Sequence, residues 1–159
     1  TFISQLNNYS TDWQIMVANQ DRGCNTSGIL TPTVSGYQSS FQSAVQTGGG
    51  SYTEALLTPT RNAVENTDPG ECNAGFMRSN AMLHIIMVSD EPEQSGGNYT
   101  DFVNDIIAKK GSAANVRSCV AFLERCCDEQ AETGKRCDPR LPSLSNLPNL
   151  RTRCHTAST

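Results

Sequence analysis

Apolar positions recur along this chain with two different periods, and the switches between them predict a protein of mixed helices and strands. Phe2, Ile3 and Leu6 sit at helical spacing before the polar stop Asn7-Asn8-Tyr9-Ser10, which predicts the end of a helix. Trp13-Gln14-Ile15-Met16-Val17-Ala18 alternates and is rich in β-formers, so it predicts a strand. A loop around Gly23-Cys24-Asn25 and a short apolar stretch at Gly28-Ile29-Leu30 follow. Between residues 35 and 47, Tyr37, Phe41, Ala44 and Val45 fall at i, i+4, i+7 and i+8, the stripe of an amphipathic helix. Gly48-Gly49-Gly50-Ser51 punctuates the chain before a second helix over 53–64, which Pro59 should kink or shorten. Residues 66–80 read as a turn-rich loop carrying Cys72.

The clearest element is the run Ala81-Met82-Leu83-His84-Ile85-Ile86-Met87-Val88, as continuous as a central parallel strand buried on both faces requires. It ends in the polar cluster Ser89-Asp90-Glu91. Tyr99, Phe102, Val103, Ile106 and Ile107 then mark an amphipathic helix closed by Lys109-Lys110-Gly111. Lysines there complement the negative helix end, and the glycine suits a left-handed exit. Residues 116–123 predict another strand. Strands alternating with helices imply a doubly wound α/β sheet, which binds ligands beyond the carboxyl ends of its strands. Ser89-Asp90-Glu91 and the Gly48–Ser51 loop are expected on that edge. From 134 to 159 five Lys/Arg face one acidic residue, with much Pro, Leu and Ser and no period, so this tail is expected to be irregular.

Composition narrows the function classes. The 159 residues suffice for one domain with a core. A formal charge of −4 leaves no basic stripe to displace phosphate counterions, which argues against nucleic acid. No apolar run is long enough for a membrane span. The chain opens on Thr1 without a secretory leader, as expected of a piece of a longer or processed protein. Seven cysteines without a C-x-x-C pair favour disulfides in an oxidising, extracytoplasmic compartment over zinc. Cys24 and Cys72 flank the same helical pair and are candidates to bridge; closing a loop of roughly 48 residues would contribute roughly 3–4 kcal/mol by the loop-entropy model. The odd count leaves at least one cysteine unpaired within the chain.

Several stretches together resemble a von Willebrand factor A-type (VWA) domain, in the version found in large secreted or envelope-attached bacterial proteins. They are Asp12-Trp13-Gln14-Ile15, Gly28-Ile29-Leu30-Thr31-Pro32, Gly49-Gly50-Ser51-Tyr52-Thr53-Glu54-Ala55-Leu56, Cys72-Asn73-Ala74-Gly75-Phe76-Met77-Arg78 and His84-Ile85-Ile86-Met87-Val88-Ser89-Asp90-Glu91-Pro92-Glu93-Gln94-Ser95. The last is the most specific. The resemblance implies a partial VWA-like domain over residues 1–125, a doubly wound, mostly parallel sheet with flanking helices lacking its first central strand, and an appended tail over 126–159. It also implies two strand edges without partners inside this chain, hence marginal stability for the chain alone. The function implied is adhesion or assembly on a protein or cell-surface ligand, not catalysis.

The family often holds Mg²⁺, Ca²⁺ or Mn²⁺ on the carboxyl edge, using oxygen ligands from three loops. Asp90 matches the aspartate after the fourth strand. Gly50 stands where the family has a threonine, with Ser51 and Thr53 near it as substitute hydroxyls. The first loop, Asp-x-Ser-x-Ser, has no counterpart, so the resemblance implies an ion in the complete domain and none in this chain alone. Gly50, Ser89 and Glu91 belong to the expected binding-edge loops. Plainer readings stand beside these. Asp90 has the alternative of a solvated loop acid, Thr53 is equally well placed as a helix cap with Glu54 at the positive helix end, and Glu91 and Glu93 read as solvent-facing charge rather than as an acid/base pair. His84 reads as a core or edge histidine rather than a base. Cys154-His155 is not a productive nucleophile pair, and Gly48-Gly49-Gly50 lacks the Lys-Ser/Thr of a phosphate loop. Two other functions remain open: a metal-free, disulfide-stabilised scaffold, and a hydrolase using the Ser89–Glu91 edge.

Overall fold

The chain builds a mixed α/β structure from two apolar clusters, seen in a computed structural model that describes residues 2–8, 12–46, 55–89, 93–123 and 150–156. Helix α1 (Phe2–Gln5) runs into a 3-10 turn over Leu6–Asn8, and α2 spans Tyr37–Gln46. Between them Ile15 and Leu30 exchange both backbone hydrogen bonds at 2.8 Å, an isolated antiparallel bridge rather than the expected strand over 13–18. The ladder stops there because Val17 turns its N–H to the Ser27 hydroxyl at 3.0 Å instead of to a facing backbone. Ile3, Trp13 and Leu30 form a buried cluster with Leu6, Ile15, Tyr37 and Phe41 against it. Trp13 meets Tyr37 edge-on, with ring centroids 5.2 Å apart. Ala44 is buried as the helical stripe demands, whereas Val45 is turned to solvent.

Helix α3 spans Leu57–Glu65, so Pro59 falls in its first turn, where its missing N–H has no intrahelical acceptor to lose. The proline shortens this helix rather than kinking it. Strand β1 (Leu83–Ser89), helix α4 (Tyr99–Lys110) and strand β2 (Val116–Leu123) make a parallel unit, in register from Leu83 opposite Val116 to Ser89 opposite Phe122. A helical crossover is what a parallel pair requires. Asn98 caps α4 by accepting the Thr100 N–H at 3.0 Å, and Gly111, at φ 84°, closes it with its N–H on the Ile107 carbonyl. The two terminal lysines do more than face the helix end: Lys109 pairs with Asp68 at 2.6 Å, and the buried Lys110 donates to the Arg78 carbonyl.

Val64, Leu83, Ile106 and Val116 form the second cluster, with Phe76, Met77, Ile85 and Ile107 packed on it. Strand β1 is buried on one face only. Leu83, Met87 and Ser89 are buried while His84, Ile86 and Val88 are exposed, Ile86 and Val88 by 52% and 53%. The apolar run had suggested burial on both faces; among the described residues helices α3 and α4 are the elements that share the inner cluster, through Val64 and Ile106. Strand β3 (Leu150–Thr156) lies antiparallel to β2, giving the order β1-β2-β3. It falls in the tail expected to be irregular. Its residues alternate, Leu150, Thr152, Cys154 and Thr156 against Arg151, Arg153 and His155, a period of two that the Pro- and Ser-rich stretch before it conceals.

Candidate functional site

The carboxyl end of β1 is where the sheet is expected to bind, and the structure shows how its flanks are held. Helix α3 begins behind Leu56, which has helical dihedrals and no capping side chain of its own. Its first N–H groups would be orphans. The segment following β1 supplies the acceptors. One carboxylate oxygen of Glu93 accepts the N–H groups of Leu56 and Leu57 at 2.7 and 3.0 Å, and the Ser95 hydroxyl accepts that of Thr58 at 3.0 Å. The other Glu93 oxygen takes the Ser95 N–H. Residues 55–58 and 93–95, which adjoin the Gly48–Ser51 and Ser89-Asp90-Glu91 loops in sequence, are thereby fastened together. A negative carboxylate also complements the positive helix end. Glu93 is therefore not the solvent-facing charge the sequence suggested. It is a partly buried positioning group.

Of the residues singled out for the site, Ser89 closes β1 and is buried, 5% exposed. Asp90, Glu91, Gly50, Ser51 and Thr53 lie outside the described residues. Among the described residues no three His, Cys, Asp or Glu side chains converge to hold a metal ion. Glu93 has both oxygens committed to backbone N–H groups. His84 is exposed on the outer face of β1, opposite Arg117 in the register, on the strand that ends the β1-β2-β3 order, so of the core and edge readings it takes the edge one.

A second constellation ties the 12–30 segment to the loop before β1. Cys24 and Cys72 form a disulfide with their Cα atoms 5.6 Å apart. Beside it, Asn73 is 0% exposed. Its amide nitrogen donates to the carbonyls of Gly23 at 2.8 Å and Ala63 at 2.9 Å. Its oxygen accepts the Asn25 backbone N–H at 2.8 Å and the Asn25 side chain at 3.0 Å. Asn62 and Asn66 add bonds to the carbonyls of Asp21 and Arg22. Gly23 has φ 72°, and a Cβ there would lie 2.3 Å from the Ala63 nitrogen, so only glycine lets this loop approach α3 so closely. The cysteines were visible in the sequence as a candidate pair. The asparagine clamp was not, because its bonds span 10 to 50 residues.

The described residues define a mixed α/β protein with a disulfide and no helix long and apolar enough to cross a membrane. No protein-family model, curated protein or solved structure matches the chain.

Proposed function

We propose that this chain is a VWA-like interaction module of an extracytoplasmic protein, mediating adhesion or assembly through loops at the carboxyl end of a doubly wound sheet. The observation that carries the reading is the β1–α4–β2 parallel unit with the 93–95 segment pinned on α3. Parallel α/β sheets place their ligand sites at this end of the strands, and the pinning holds the flanks of the two loops in one place. The Cys24–Cys72 disulfide supports an oxidising location. In the complete domain Asp90, with Ser51 and Thr53, would contribute oxygen ligands to Mg²⁺ or a similar ion, and a protein or cell-surface carboxylate would complete its coordination.

The second reading is a metal-free scaffold, favoured by the Cys24–Cys72 and Asn73 clamp, which orders the loops covalently and through amides. The full-length gene product separates the two. Thermal unfolding is followed with Mg²⁺ or Mn²⁺ and with a chelator, for the natural sequence and Asp90→Ala. An ion present at a hundred times its Kd stabilises by about 2.7 kcal/mol, so the interaction-module reading expects a metal-dependent rise in Tm that Asp90→Ala abolishes. A Tm indifferent to metal in a folded protein hands the function to the scaffold. Turnover of a generic ester or phosphate ester would instead bring back a hydrolase.

A further inference from the structure

The β2–β3 register sets Cys119 directly opposite Cys154. Opposed residues of an antiparallel pair share a face of the sheet and have Cα atoms about 4.5–5.5 Å apart, inside the about 4.4–6.8 Å span that a disulfide bridges. We propose that Cys119 and Cys154 form a second, cross-strand disulfide that fastens β3 to β2. Three observations converge on it. The pairing is in register over seven positions, so the opposition of the two cysteines is fixed by the whole ladder. Cys119 is also the register partner of Ile86 on β1, so Ile86, Cys119 and Cys154 make one row across the sheet. Ile86 is 52% exposed, so on β1 this row stands on the face opposite the buried Leu83 and Met87. Finally, the chain already carries one disulfide, Cys24–Cys72, so its chemistry is that of an oxidising environment.

The bond forms by thiol–disulfide exchange with a small disulfide oxidant. One cysteine thiolate attacks the oxidant's disulfide and releases one thiol. The second cysteine thiolate then attacks the mixed disulfide and releases the other. Two protein thiols are oxidised, the S–S bond forms, and the oxidant is reduced to two thiols. Of the seven cysteines only Cys126, Cys127 and Cys137 then lack an assigned partner, and all three lie between the two strands in sequence. The segment that links β2 to β3 would be closed as a covalent loop, so that cutting it does not release β3. This inference does not depend on what the carboxyl-edge loops bind.

The sequence allows a direct test. Cleavage after Lys and Arg puts Cys119 alone in the peptide 118–125 and Cys154 alone in 154–159, while Cys126, Cys127 and Cys137 fall in 126–135 and 137–140. The full chain is equilibrated with oxidised and reduced glutathione, its free thiols are alkylated, and the unreduced digest is read by mass spectrometry. The proposal expects a species joining 118–125 to 154–159 that vanishes on reduction. Peptide 118–125 recovered alkylated, or joined to 126–135 or 137–140, overturns it. A variant carrying Cys126→Ser, Cys127→Ser and Cys137→Ser provides an independent count. After the same equilibration it should show no free thiol, and two free thiols would sink the assignment.

Discussion

Asn73 is a polar side chain with no exposed surface, and its position explains why the loop before β1 keeps its shape. Both halves of its amide are used, the nitrogen on the carbonyls of Gly23 and Ala63, the oxygen on Asn25. Truncation strands those partners in a dry site, and each buried group left unpaired costs about 1–3 kcal/mol. Asn73→Ala is therefore expected to lower the unfolding free energy by about 3 kcal/mol or more, read by urea denaturation. Asn73→Asp should cost a comparable amount, because it keeps the acceptor but sets an oxygen against two carbonyls. An aspartate variant as stable as the natural protein would show that the two donor bonds contribute nothing. None of this was legible in the sequence, where Asn73 is one polar residue in a turn-rich stretch. Burial of an amide is decided by distant backbone, here Gly23 and Ala63, and Gly23 can approach only because it lacks a Cβ.

Elements were readable where a single period decided them. Tyr37, Phe41 and Ala44 gave α2, Phe102 and Ile106 gave α4, and the 116–123 segment matches β2 at both ends. The period failed where hydrogen bonding took over. Residues 13–18 alternate like a strand, yet Val17 bonds to the Ser27 hydroxyl and the ladder ends after one bridge. Helix α3 starts at Leu57 rather than near Thr53 because Pro59 is confined to its first turn, and its cap comes from Glu93 and Ser95, some 36 residues away in sequence. Losing a cap of this kind costs about 1 kcal/mol, so Glu93→Ala should lower stability by that amount. Glu93→Gln keeps one acceptor oxygen for the Leu56 and Leu57 N–H groups but turns its amide nitrogen on the Ser95 N–H and loses the charge facing the positive helix end, so it should cost nearly as much as alanine. Denaturation midpoints rank the three proteins. A glutamine variant as stable as the natural protein would mean that neither the charge nor the Ser95 bond holds the helix end. At this scale the candidate site was legible only in outline, since the meeting of the 55–58 and 93–95 flanks needs the tertiary fold, and Asp90, Ser51 and Thr53 lie outside the described residues.

Over the whole molecule, the two apolar clusters share no member: Ile3, Trp13 and Leu30 on one side, Val64, Leu83, Ile106 and Val116 on the other. Among the described residues the links between their segments include the Cys24–Cys72 bond, the asparagine bonds to Asp21, Arg22 and Gly23, and the Arg78–Asp12 ion pair. Exposed ion pairs contribute little, so the disulfide and the asparagines carry the coupling. The first cluster rests on a four-residue helix, a ten-residue helix and one β-bridge, and is the weaker partner. The sole tryptophan of the chain, Trp13, lies in that cluster, so its fluorescence reports on it alone, while far-UV circular dichroism weighs the helices and strands of both. With the disulfide intact, the two signals should change together in urea, as one cooperative unit requires. In the Cys24→Ser, Cys72→Ser variant the loop constraint is gone. A loss of about 4 kcal/mol against a urea dependence of about 2 kcal/mol/M moves the fluorescence midpoint down by roughly 2 M, ahead of the dichroism. Transitions that still coincide in the variant would mean that Asn62, Asn66 and Asn73 suffice to couple the clusters. Transitions that already separate in the natural protein would mean that the two clusters never fold as one.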